Sequence, residues 1–425
     1  MISLNLSVKN KIEPLIVTLV NILARGSHLL FFIVIGNKYG ASDITDTVVF
    51  FLAPLMVLTA VASGAAETVI MPVFHRAENA DTAKYLFVYS VKKITKFALP
   101  LSSIIIVFFA MITGYWNFLL MIILLPVPLF GSLSTLKSGV LNASGRFRVA
   151  ILGPLFGGLT AVSFLLFASV NIYSFGLSFL LFELGKMGSL WFYRDISTGG
   201  HPSRSDLGDT LAKWGTGNAR LQIISSLILA LVYPVDVWFA STLEIGSITF
   251  VEYANKLWNI IPLLFVGHIT ITYSSLSKAE SGHKKSANPI NVHNIALRYG
   301  AFGVGASVMV ILMSKHIIGF LYGFGNMDTQ QQVVLANLLN SYLYGAGLYV
   351  SASVYVKAMS AMGRVDLLLA VACLGLVCNI ICDTIFISII GLNGIGFATS
   401  TVYLCNSLTL AYLYEKSRSK KHFAV

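Results

Sequence analysis

Apolar blocks as long as a bilayer is thick recur along this chain, separated by short polar connections. Phe97–Ile112 and Leu155–Val170, for example, run without one ionisable side chain. A helix of about 20 apolar residues spans a membrane core and satisfies its own backbone there. Membrane barrels are built instead from strands of about ten residues with alternating polarity, and no such alternation appears. Composition agrees: 56% of the 425 residues are hydrophobic and only 11% are charged, too few charges to cover a soluble surface. The predicted fold class is therefore an all-α polytopic membrane protein with about twelve transmembrane helices.

The predicted spans are Pro14–Ile35, Thr47–Phe74, Phe87–Ile112, Phe118–Leu141, Val149–Ala168 and Tyr173–Phe192, then Leu211–Ala240, Thr249–Ser274, Ile295–Tyr322, Val333–Met362, Leu367–Ile390 and Ile395–Tyr414. The longest polar connection, Arg194–Asp209, falls between the sixth and seventh. It divides the chain into an N-terminal bundle (1–193), a cytoplasmic linker (194–210) and a C-terminal bundle (211–425). No cleavable signal is visible in Met1–Glu13, so the first helix is expected to stay.

The net charge of +11 is distributed by side of the membrane. With the N-terminus inside, the inner connections hold Arg76, Lys84, Arg146, Arg148, Arg194, Arg204, Lys213, Lys278, Lys284, Lys285 and Arg364, and the tail adds Lys416, Arg418, Lys420 and Lys421. The outer connections hold little beyond Lys38, Asp43, Glu244 and Asp328. That asymmetry is the positive-inside rule. It predicts cytoplasmic N- and C-termini in a bacterial inner membrane, and it accounts for the basic excess without nucleic acid.

The two halves echo each other. Tyr39-Gly40-Ala41-Ser42 opens a span that reaches Pro54, and Glu244-Ile245-Gly246-Ser247 opens one that reaches Pro262. Later, Leu141-Asn142-Ala143-Ser144-Gly145-Arg146 matches Met359-Ser360-Ala361-Met362-Gly363-Arg364. Both end at an inner Gly-Arg, so the halves are expected to be parallel repeats, as in transporters that hold substrate between them.

Ionisable groups inside spans are costly and therefore informative. Arg25 lies midway through the first span, with His28 about one turn on. Arg25 would meet an anionic headgroup in a cavity, or pair with a buried carboxylate such as Asp236. Lys256 carries the same two readings. Lys137 and Lys357 would contact substrate or snorkel to the inner surface. Glu67 lies toward the inner end of the second span. Glu183, Asp236 and Asp383 are candidates for ion coupling, although Glu183 and Lys186 are spaced to neutralise each other.

Cys373, Cys378, Cys382 and Cys405 sit in apolar runs with no metal-ligand spacing, and are expected to be buried and inert. Gly303-Val304-Gly305 lies inside a span and is read as helix packing. No Ser/His/Asp set, HExxH or Walker pattern occurs, so neither catalysis nor ATP hydrolysis is expected, and no cofactor.

The stretch Asn21–Phe74 resembles the first two helices of the MurJ/MviN lipid II flippases, within the MOP (multidrug/oligosaccharidyl-lipid/polysaccharide) exporter superfamily. Ala24-Arg25, Gly40-Ala41-Ser42, Thr45-Asp46, Gly64 and Met71-Pro72-Val73-Phe74 carry the likeness. Leu141–Pro154 and Asp236–Pro262, with Tyr253-Ala254-Asn255-Lys256-Leu257, extend it. The resemblance implies two six-helix bundles in a V around a cationic cavity. It also implies alternating access and translocation of an undecaprenyl-pyrophosphate-linked saccharide, with cell-envelope glycan-synthesis enzymes as candidate partners.

Arg25 falls on a family arginine, and Lys256 on another whose fork it lacks. Asn255 replaces a family aspartate. Phe31 and Phe32 replace a second arginine and an aspartate, and Leu55–Thr59 holds none of the arginines expected there. An O-antigen, capsule or exopolysaccharide intermediate therefore fits as well as lipid II. Alternatives are an ion-coupled multidrug exporter, which would use acidic cavity residues, a membrane glycosyltransferase, disfavoured by the short loops, and a non-transporting scaffold.

Overall fold

The computed structural model of the protein describes residues 23–24, 26–65, 80–114, 116–143, 146–192, 218–265, 269 and 291–422. Among these every regular element is a helix. They are α1 (26–39), α2 (Asp43–Ala65), α3 (Ala80–Thr113), α4 (Phe118–Leu124), α5 (Val127–Ala143), α6 (Phe147–Phe167) and α7 (Ile172–Trp191). After the linker come α8 (Asn218–Ala240), α9 (Ser247–Trp258, resuming after Asn259 at 260–265), α10 (Val292–Tyr322), α11 (Thr329–Ala361), α12 (Val365–Ile390) and α13 (Asn393–His422). Eight stretches among the described residues are long and apolar enough to cross a membrane. Arg25, Glu67 and the linker 194–210 lie outside the described residues.

The sequence explains where the helices start. Asn117, Asn171 and Asn291 each accept a hydrogen bond from the backbone N–H three residues on, at 3.0, 2.8 and 3.1 Å. Asp328 and Gln331 close a reciprocal capping box before α11, satisfying two donors that the helix leaves open. Pro126 interrupts the predicted fourth span: Leu125 and Pro126 form a turn that separates α4 from α5, because proline removes a donor and clashes with the preceding turn.

Two compact units emerge. The first holds the described part of Met1–Lys38 and Phe51–Ala219. In it α6 packs along α7, and Phe31, Phe32, Phe175, Phe179 and Phe182 form an aromatic core. Lys38 donates to the carbonyls of Leu165 and Ala168, at the C-terminal end of α6, where a cation complements the helix dipole.

The second unit holds Tyr39–Phe50 and Arg220–Val425, so the first eight residues of α2 belong with the C-terminal helices. α10, α11 and α13 pack tightly because glycine lines the seams. A Cβ on Gly303 would lie 2.9 Å from the Cα of Gly347, and one on Gly345 would lie 2.6 Å from the Cα of Ser400. In a bilayer such close backbone approach drives helix association in place of the hydrophobic effect. In the Gly303-Val304-Gly305 run, Gly303 and the Val304 backbone are thus the packing surface, and Gly305 faces away from it.

The cysteines are less enclosed than expected. Cys373 is exposed and the other three are half-buried, with Cys378 Sγ 3.8 Å from Cys382 and 4.0 Å from Cys405. They line the α12–α13 seam beside exposed Val377, Ile381 and Leu404.

Candidate functional site

In the first unit, the candidate residues described are His28, Lys137 and Glu183. His28 is half-buried, its ring 5.1 Å from Phe32 and 5.0 Å from Phe182. Phe31 and Phe32 are closed into the same aromatic core. Lys137 on α5 is only 6% exposed, and its ammonium lies 5.8 Å from the centre of the Trp191 ring, a cation–π distance. Glu183 on α7 pairs with Lys186 at 3.1 Å, as the spacing predicts. Ser134 lies 3.5 Å from the same carboxylate.

The second unit gathers more chemistry. Asp236 on α8 and Asp383 on α12 are both buried, and a single amide joins them. Asn379 Nδ2 donates to Asp236 Oδ1 at 2.8 Å and to Asp383 Oδ2 at 2.6 Å. Asn379 and Asp383 are four residues apart and so share one face of α12. Thr399 Oγ1 on α13 lies 3.5 Å from Asp236 Oδ2 and donates to the carbonyl of Ile395.

Two oxygens of this cluster, Asn379 Oδ1 and Asp383 Oδ1, are buried with no hydrogen-bond partner among the described residues. An orphaned buried acceptor is costly, and two acids buried around one amide are stable together only if they share a proton or hold a cation. The donor set is entirely hard oxygen, which suits alkali or alkaline-earth cations or a proton rather than thiophilic metals.

A cavity of about 160 Å³ opens onto Asp236 and Thr399. Its walls include Tyr233, Trp258, Tyr342 and Tyr403, and the Tyr342 hydroxyl is a further buried group without a partner among the described residues. Space on this scale holds several waters. Asn255 and Asn259 also line it. Asn255 is held by the Trp258 indole N–H and the Asn259 amide, each at 2.9 Å.

Lys256 pairs with Glu252 one turn earlier on α9, at 3.1 Å. The Glu252 carboxylate also accepts a hydrogen bond from the Tyr233 hydroxyl. Lys357 is half-buried on α11. Lys256, Asp236 and Asp383 thus fall within one unit, with Lys137, Glu183 and His28 in the other.

Sequence reading missed Glu252, Asn379 and Thr399. Glu252 was visible as an acid four residues before Lys256 within one apolar span. Asn379 stands four residues before Asp383. Thr399 carries no signal on its own, because hydroxyls are common in membrane helices.

Comparison with known proteins places this architecture. A chain from Thermotoga maritima described as a probable lipid II flippase MurJ is 23% identical over 287 residues, covering 67% of this chain and 57% of its own length. A Buchnera aphidicola counterpart is 22% identical over 96% of this chain and 84% of its own length. Among solved structures, a lipid II flippase MurJ in an inward closed conformation superposes with a TM-score of 0.74 at 18% identity, over 94% of this chain and 87% of that one. An inward-facing multidrug resistance MATE transporter of the MOP superfamily gives 0.70 at 15%, over 94% and 95%. The model of the lipid II flippase MurJ family matches residues 35–425, and the chain belongs to that family.

Proposed function

We propose that this protein flips a polyprenyl-pyrophosphate-linked saccharide across the bacterial inner membrane by alternating access. The cargo is a lipid II-like or an O-antigen or exopolysaccharide intermediate. The family match over residues 35–425 carries this reading. The intramembrane cations support it: Arg25, Lys256, Lys137 and Lys357, with His28 near them in kind, are the groups that would meet a pyrophosphate. In a low-dielectric cavity such charge-assisted contacts are strong. Both termini are cytoplasmic in this reading, and the moving halves are built on 1–193 and 211–425, joined by 194–210, with 39–50 carried by the second half. The protein makes and breaks no covalent bond; it delivers cargo to the enzymes that polymerise it.

The driving force is a cation bound by Asp236, Asp383, Asn379 and Thr399. The orphaned oxygens of Asn379 and Asp383 support this assignment, because each is a buried acceptor of the kind a cation satisfies. Glu183, neutralised by Lys186, is the weaker coupling candidate.

The same acidic pair favours a second reading, cation-coupled drug export, consistent with the fold shared with a MATE transporter. Proteoliposomes separate the two. Translocation of an undecaprenyl-pyrophosphate sugar, lost in Arg25→Ala, supports the flippase. Export of an organic cation without lipid movement replaces it with the exporter. A well-folded Arg25→Ala protein that leaves lipid movement and envelope growth unchanged would favour a scaffold.

A further inference from the structure

We propose that Glu252 is the residue that couples headgroup to cation. It is the carboxylate released when an anionic headgroup takes Lys256, and its freed charge draws a monovalent metal cation into the cavity that leads to Asp236. This rests on the flippase reading above and names a residue that the reading does not require.

Four observations converge. Glu252 and Lys256 are one turn apart on α9, in the acid-first order that a helix favours, and they pair at 3.1 Å. The pair is unequally covered: the Lys256 side chain is 29% exposed and that of Glu252 only 6%. An arriving anion can therefore reach the ammonium but not the carboxylate. Glu252 also accepts from Tyr233. Tyr233 and Asp236 stand one turn apart on α8, and both line the same cavity with Thr399.

The consequence follows from charge. While Lys256 holds Glu252, the pair is neutral. A pyrophosphate that takes the ammonium leaves a buried carboxylate with a phenol as its remaining partner among the contacts described above. An uncompensated buried charge costs several kcal/mol. Tyr233, which donates to Glu252, also lines the cavity, so a cation held there would compensate the freed charge. Substrate and cation therefore bind cooperatively, and linkage makes the effect reciprocal. An organic-cation drug would not compete for Lys256 and would not trigger this step.

The test is binding of radioactive sodium to the purified full-length protein in nanodiscs, with and without undecaprenyl pyrophosphate, at fixed pH. In the wild type the lipid should raise sodium affinity by roughly tenfold, within the usual range of allosteric coupling. In Glu252→Gln the enhancement should vanish. Lipid binding without sodium should tighten, since no carboxylate competes for Lys256. A merely structural defect would weaken lipid binding instead. Tyr233→Phe, which spares the ion pair, should reduce the enhancement.

Wild type that binds both ligands but independently overturns the coupling and leaves the flippase standing. An unchanged enhancement in Glu252→Gln does the same. Wild type that binds no undecaprenyl pyrophosphate overturns both.

Discussion

The Asp46 carboxylate caps a helix that begins two hundred residues after it. Its Oδ1 accepts from the Thr249 backbone at 2.8 Å and from the Thr249 hydroxyl at 2.6 Å, and its Oδ2 accepts from the Gly246 N–H at 2.6 Å. Gly246 takes a positive φ of 93° and has no side chain to cap α9 itself, so Asp46 supplies the acceptor and a negative charge beside the helix N-terminus. Asp46→Ala leaves the Gly246 and Thr249 amides without their acceptor in a buried site, while the Thr249 hydroxyl keeps Thr45 Oγ1 at 2.7 Å. It should cost about 1–3 kcal/mol, read as a lower melting temperature in detergent, with Asp46→Asn intermediate because its amide NH₂ cannot accept.

This cap shows how far the sequence could be read. The matched runs at Gly40 and Gly246 announced two helix starts, and both glycines adopt positive φ. That these starts meet, with Gly246 packed on Ala41, could not be read from either run. The apolar blocks were legible because membrane length is a strict constraint. The buried acids Asp236 and Asp383 were legible one at a time, as expensive groups. Their union through Asn379 depends on how α8, α12 and α13 pack, which no periodicity encodes. The Pro126 break was visible as a residue but not as a boundary, since many membrane helices carry proline without ending.

Asp236 and Asp383 yield a prediction about stability as well as transport. A ligand that binds only the folded protein raises its stability as concentration exceeds the dissociation constant. Sodium titration, with choline as the control salt, should raise the melting temperature of the wild type and leave Asp236→Asn or Asp383→Asn unmoved. Asn379→Ala, which removes the group that orients both carboxylates, should weaken cation affinity by about 10–100-fold. A cation response in the double Asp→Asn variant would exclude this cluster as the site.

Gly347 and Gly305 separate packing from propensity. A Cβ on Gly347 would lie 2.7 Å from the Val304 backbone nitrogen, while one on Gly305 meets nothing within 4 Å. Gly347→Ala must push α10 from α11 and should destabilise by about 1–3 kcal/mol. Gly305→Ala should be neutral or stabilising by up to about 1 kcal/mol, the helix preference of alanine. Thermal melts of the two single variants in one detergent check the contrast.

Lys256 poses a question that a single substitution cannot answer. Lys256→Gln removes a candidate headgroup contact, but it also strands Glu252, whose side chain is 6% exposed. Breaking one side of such a pair should cost about 2 kcal/mol, the buried-pair value reduced because the lysine is partly exposed. Lost transport in that variant could then reflect lost fold. The double variant Lys256→Gln with Glu252→Gln removes both charges, and replacing both partners of an ion pair is often near neutral. Its melting temperature should return close to the wild type, a non-additivity that measures the pair. If Lys256 binds pyrophosphate, lipid translocation by the double variant should stay at least about tenfold below wild type, one headgroup hydrogen bond to a charged group being worth roughly that much. If translocation recovers along with stability, Lys256 is a structural partner of Glu252 and the headgroup is held by the remaining cations.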